Sequence, residues 1–285
     1  MWEHLKQEQK EKYKTLITNF ASLSEAFSQK AENEDSDDRE SYVAPIVNSK
    51  FQETVFQKAF HAVGEDIANT SYDASLVVDE QHKYLVGIKS FGLDSGDQKI
   101  AQFKKDSQSW NELLSEIRFH AEISPDKETA DKENRARYEK LAREIATLRN
   151  QRIESSKALI KGFHSDSSHV EAVYHVLMPT SKGHKPQIHV GETTYLPVDL
   201  DNLKILGSTT KNNPTNFRFT DGQHDYKYTA ADSQLHMTFR NKEIVVDTWD
   251  VNYVEDPFYL FEHLHLLTSE KSDSEILESV SCDHR

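Results

Sequence analysis

The stretch from Tyr72 to Phe91, YDASLVVDEQHKYLVGIKSF, constrains this chain most. Two apolar runs, Ala74 to Val78 and Tyr84 to Phe91, flank a polar turn of Asp79, Glu80, Gln81, His82 and Lys83. The pattern predicts two adjacent strands. Alternation along the second run puts Leu85, Gly87, Lys89 and Phe91 on one face and Tyr84, Val86, Ile88 and Ser90 on the other. A lysine inside such a strand is costly unless its ammonium meets a negative charge or water. Asp73, at the mouth of the first run, is the expected partner. The plain reading is a buried ion pair in an ordinary hairpin. The sharper reading is an acid and a lysine set to meet a metal ion and a phosphate.

In order and context these residues resemble the PD-(D/E)xK nuclease superfamily, which includes most type II restriction endonucleases. Tyr72-Asp73 stands for the Pro-Asp element and Gly87-Ile88-Lys89 for the (D/E)xK element. Glu53, on a helix expected just before, matches an acid that many members carry. The resemblance covers roughly residues 46 to 120. Gly87 departs from it, because the family normally has a carboxylate there. Some members supply that acid from the following helix, for which Asp94, Asp97 or Gln102 would serve here.

The resemblance implies an α/β fold with a restriction-endonuclease-like core, a mixed sheet flanked by helices. It implies Mg²⁺-dependent, sequence-specific cleavage of double-stranded DNA by a homodimer, two sites facing the two strands of a palindrome. Asp73 and the Ile88 carbonyl would hold Mg²⁺. Lys89 would orient the attacking water and stabilise developing charge. Glu53 would complete the site directly or through water.

Composition bounds these expectations. A formal net charge of −14 argues against a nonspecific polyanion binder, while leaving room for a local basic cleft. With 29% charged and 36% hydrophobic residues the chain is polar but globular. The one cysteine, Cys282, permits no intrachain disulfide, which fits a reducing cytoplasm. No apolar run approaches membrane-spanning length, and MWEHLKQEQKEK lacks a signal-peptide core.

Along the chain we expect a helical arm and acidic linker over 1–41, with Tyr13, Leu16, Ile17, Phe20, Leu23 and Phe27 as a stripe packed on the body of the protein or on a dimer partner. A nuclease-like core follows over 42–165. It has a helix from Pro45 to about Asn69, a helix through Lys105 capped by Ser95 or Asp97, another from Trp110 to Ala121, and a long one from Arg135 to Phe163. The arginines of the long helix, Arg149 among them, read as a solvated or ion-paired face. Residues 166–267 are β-rich, and 268–285 form a polar tail.

Candidate DNA contacts are Lys99 and Lys104, from the clearest basic cluster, which also holds Lys105, and Thr209, Lys211, Asn213, Asn216 and Arg218, from a loop rich in side chains that read base edges. Gln102, one turn from Gln98 on the expected helix, would position water or metal. Glu262, His263 and His265 lack helical ligand spacing, and no phosphate-binding loop, GxGxxG or GxSxG occurs. Two other functions fit the same residues: a non-catalytic DNA-binding or scaffolding protein with a degenerate nuclease core, and an interaction protein built on the arm and the β half.

Overall fold

The computed structural model describes residues 1–27, 42–64, 71–160 and 169–268. The expected acidic linker at 31–41, the end of the second expected helix at 65–69 and Cys282 lie outside the described residues. The first half runs α1 (Gln7–Ala21), α2 (Ser49–Phe60), β1 (Val63–Gly64), β2 (Ala74–Val77), β3 (Lys83–Ser90), β4 (Gln98–Gln102), α3 (Asn111–Ile123) and α4 (Lys127–Leu159). The second half adds β5 (Val170–Pro179), β6 (Gln187–Thr194), β7 (Lys204–Thr210), β8 (Asn213–Thr220), β9 (Asp225–Thr229), β10 (Gln234–Met237), β11 (Val245–Asp250) and α5 (Pro257–His263).

The architecture is α/β. One mixed sheet has the order β1-β2-β3-β5-β6-β11, and a second, antiparallel sheet has the order β4-β10-β9-β8-β7. The β2–β3 hairpin turns where Asp79 Oδ1 accepts the main-chain N–H groups of Gln81 and His82, an Asx-type turn. β3 and β5 run parallel, so the chain between them must cross over, and α3 and α4 supply that length.

Both faces of the mixed sheet are covered. Tyr84, Val86 and Ile88 pack with Tyr13, Val55, Phe56 and Phe60 beneath α1 and α2. Leu85 and Tyr174 pack with Ile145 of α4 and Phe217 and Tyr228 of the second sheet. Two-sided burial explains why β5 reads as a continuous apolar run. His175 of β5 is fully buried, with its Nε2 3.1 Å from the Tyr13 hydroxyl. Desolvation lowers its pKa to about 3 and keeps it neutral.

Several expectations from sequence change. The residues before Lys105 form a strand, β4, because Phe103 is buried, Ile100 and Ala101 pack against the core and β10 supplies hydrogen bonds. α2 starts at Ser49, capped by the Asn48 side chain on the Phe51 N–H, and ends where His61 turns left-handed at φ 57°. The N-terminal helix is short, with a 3₁₀ turn at either end. It packs on α2, with Phe20 stacked on Phe51 at 4.6 Å, so most of its stripe is used within the chain, while Phe27 is exposed. α4 begins at Lys127, where Asp126 accepts the Thr129 N–H, rather than at Arg135. No helix among the described residues is long and apolar enough to cross a membrane.

The start of β4 is fastened to the second sheet by Asp97. Its carboxylate, 8% exposed, takes Arg218 of β8, Lys227 of β9 at 3.0 Å and the Thr238 hydroxyl at 2.7 Å. Burial alone would raise the Asp97 pKa. The hydrogen bonds from Arg218, Thr238 and Lys227 outweigh it and hold the pKa well below the usual carboxylate range. The resulting stabilisation is complete above the unfolded carboxyl pKa of about 4 and is lost as pH falls below it. Asp97→Asn should therefore cost about 2–3 kcal/mol at neutral pH and flatten the acid limb of stability in denaturant titrations. An unchanged acid limb would contradict this role.

Candidate functional site

The hairpin register places Ala74 opposite Val86, and therefore Asp73 beside Gly87 at the end of the ladder. The Asp73 N–H donates to the Val86 carbonyl at 2.9 Å. Its carboxylate Oδ2 accepts the Ile88 N–H at 2.6 Å. N–H and C=O of one strand residue leave on the same side, so the Ile88 carbonyl leaves β3 on the edge that faces β2. Lys89 is half-buried and falls by alternation on the face of Leu85 and Gly87. The expected Asp73–Lys89 ion pair is not formed. Asp73 binds a main-chain donor of β3 instead, and Lys89 makes no ion pair among the described residues.

Glu53 lies on α2, which packs against the opposite face of β3, and its carboxylate is 2.9 Å from Lys50. The residue of α2 that reaches β3 is its neighbour Gln52, fully buried, whose Nε2 donates to the Lys89 carbonyl at 3.2 Å. Its signal in the sequence was a polar side chain at apolar-face spacing from Val55, Phe56 and Ala59.

Gly87 is filled in rather than vacant. A Cβ built there meets ring carbons of Tyr174 and Tyr195 at 2.9 Å. Those rings stack at 4.0 Å and 11°. Arg149 of α4, 3% exposed, lies with its guanidinium carbon 5.3 Å from the Tyr195 ring centroid and donates to the Leu196 carbonyl at 2.9 Å. It is thus a core residue, not part of a solvated face. Burial keeps the Tyr195 hydroxyl neutral and donating, and it bonds the Ser71 carbonyl at 2.9 Å, two residues before Asp73.

The residues considered as substitutes at Gly87 are committed elsewhere. Asp94 is exposed and pairs with Lys242 at 3.0 Å and Ser181 at 3.1 Å. Asp97 holds the second sheet. Gln102 sits on a strand, its side chain donating to the Asp232 carbonyl at 3.0 Å. Among the described residues, no three or more His, Cys, Asp and Glu side chains group to hold a metal. What the hairpin offers is one carboxylate, Asp73, and one main-chain oxygen, of Ile88. That donor set suits Mg²⁺, which keeps several waters and takes further oxygens from a phosphate. The residues fit an ion that arrives with a phosphate better than a preformed cage.

The expected base-contact loop is the β7–β8 hairpin, packed on α4 and α3. Three of its residues are satisfied within the protein. Lys211 donates to the Ser124 carbonyl at 2.7 Å, Asn216 accepts the Ala230 N–H at 3.0 Å, and Arg218 binds Asp97. Asn213 is exposed and Thr209 partly so. Lys99 is exposed on β4 opposite His236, and Lys104 is exposed just after it, beside Lys105 and Arg152. The His263 and His265 rings sit on the carbonyls of Tyr259 and Glu262. Compared with known proteins, the chain matches no family model, no curated protein and no solved structure.

Because Gly87 lies against two buried rings, Gly87→Ala should lower stability by about 1–3 kcal/mol. Gly87→Glu should fold poorly rather than rebuild a metal site. Urea titrations of both variants check this, and a Glu variant as stable as wild type would show that the rings can give way.

Proposed function

We propose that this protein is a Mg²⁺-dependent, sequence-specific endodeoxyribonuclease of the type II restriction kind. The observation that carries the reading is Lys89: a partly buried lysine on the Asp73 face of β3, without an ion-pair partner among the described residues. An ordinary structural ion pair would join the two side chains. A lysine on that face without an acid is suited to a mobile anion, and the phosphate of DNA is one. The order of elements supports the same reading: a helix with Glu53, an Asp strand, an antiparallel Lys strand, then a helical crossover to a parallel strand.

Asp73 and the Ile88 carbonyl would hold Mg²⁺, which when bound supplies an acidified water and neutralises phosphate charge. Lys89 steadies the charge that builds on the phosphate oxygens and orients the water. Gln52 fixes the main chain at Lys89. Glu53, on the far side of β3 and paired with Lys50, is left outside this site. Two copies, one for each strand, would cut a palindrome.

A second reading has its own observation. Tyr174 and Tyr195 occupy the place where the resemblance expects an acid, which favours a core that binds DNA without cutting it. Plasmid and duplex assays separate the two. Asp73→Asn keeps an acceptor for the Ile88 N–H but removes the charge, so cutting in Mg²⁺ should fall by on the order of 10²–10³-fold while duplex binding in Ca²⁺ persists. Lys89→Met should abolish cutting and leave thermal stability nearly unchanged, since it breaks no ion pair among the described residues. Wild-type binding without any Mg²⁺-dependent cutting would favour the second reading. A Lys89→Met variant that is strongly destabilised would return the lysine to a structural role.

A further inference from the structure

A groove of about 750 Å³ opens beside Ser71, between the chain after β4 and the C-terminal part of α4. Lys104, Lys105 and Arg152 line it, with Gln102, Gln151 and Ser155. Its lining acid, Asp106, is bound to Arg152 at 3.0 Å. Three cations to one acid is the reverse of the whole chain, which has 48 acidic and 34 basic residues.

The groove is built, not incidental. Arg152 donates to the Gln102 carbonyl at 2.7 Å, and its guanidinium carbon lies 4.5 Å from the Phe103 ring centroid. Ser71 donates its N–H to Ser156 Oγ at 2.8 Å, so α4 is tied to the segment that leads, two residues later, to Asp73. A second cleft of about 700 Å³ continues the groove past Lys105 toward Trp110 and Arg143. Glu144, Leu148, Gln151 and Ser155 follow one face of α4 and line the two clefts between them. From Glu144 to Ser155 the helix rises roughly 16 Å, about five phosphate steps of one DNA strand.

We propose that this groove carries the sugar–phosphate backbone of duplex DNA to the Asp73–Lys89 site, with Lys104, Lys105 and Arg152 as sequence-independent phosphate contacts. The proposal rests on the nuclease reading and adds the path of the substrate to it. Contacts of this kind strengthen binding to every sequence alike and make it salt-dependent.

The test uses the full chain in Ca²⁺ with a short random-sequence DNA duplex, titrated by fluorescence anisotropy over a salt series. Lys104→Glu/Lys105→Glu should bind about tenfold or more weakly, with a slope of log K against log salt shallower by about 2. Lys12→Glu/Lys58→Glu makes the same change in net charge at exposed positions on α1 and α2, and should keep the wild-type slope. Equal slopes in the two double variants, or wild-type affinity in the groove variant, would overturn the groove. If Asp73→Asn still loses Mg²⁺ cutting in that case, the nuclease reading stands without it. If the wild type binds no duplex at all, both fall. An RNA duplex held more tightly than DNA would overturn the assignment to DNA.

Discussion

The contact of Gly87 with two stacked tyrosines is the constraint from which the site follows. With no side chain on β3 at this point, Tyr174 of β5 and Tyr195 both bring ring carbons up against the strand. Arg149 closes over Tyr195 and bonds the Leu196 carbonyl, so α4 is fixed to the same place. The Tyr195 hydroxyl then holds the Ser71 carbonyl, and Ser156 of α4 holds the Ser71 N–H. Asp73 enters its strand from a segment gripped on both polar groups of Ser71, and its carboxylate meets the Ile88 N–H at 2.6 Å. A side chain at 87 would disturb this series at its first step.

Charge is distributed with the same economy. An ionic cluster of Asp97 with Arg218 and Lys227 ties the start of β4 to β8 and β9 across the second sheet and so fixes where the chain after β4 emerges. That chain carries Lys104 and Lys105 to one wall of the basic groove, and Arg152 of α4 forms another. Lys89 stays apart from these networks. An acidic protein thus keeps a cation on the acid-bearing face of β3 and a short basic track beside Ser71, the two features the proposed phosphodiester substrate would need.

The hairpin was legible because its signal is local. Two apolar runs around an Asx turn gave β2 and β3 to within a residue or two, and alternation put Gly87 and Lys89 on one face. The crossover helix from Asn111 and the β-rich texture after His169 were equally local signals. What failed depended on distant partners. Gln98 to Gln102 has helical spacing in isolation, but β10 offers it a ladder, with an irregularity at Leu235/His236. Arg149 resembles its solvated neighbours until Leu196 and two tyrosines from beyond the helix surround it. The Asp73–Lys89 ion pair was inferred from strand adjacency alone, and the sequence carries no sign that the Ile88 amide would take the carboxylate. Of the residues expected to read bases, Lys211, Asn216 and Arg218 have turn-like and basic character that serves packing within the protein.

The most direct test of the endonuclease reading is to sequence the fragment ends left after phage DNA is incubated with the wild-type protein and Mg²⁺. Cleavage by the Asp73–Lys89 site in a sequence-specific dimer predicts ends that all fall at one short recurring sequence, with none produced by Asp73→Asn. Intact DNA, or ends scattered without regard to sequence, would contradict it.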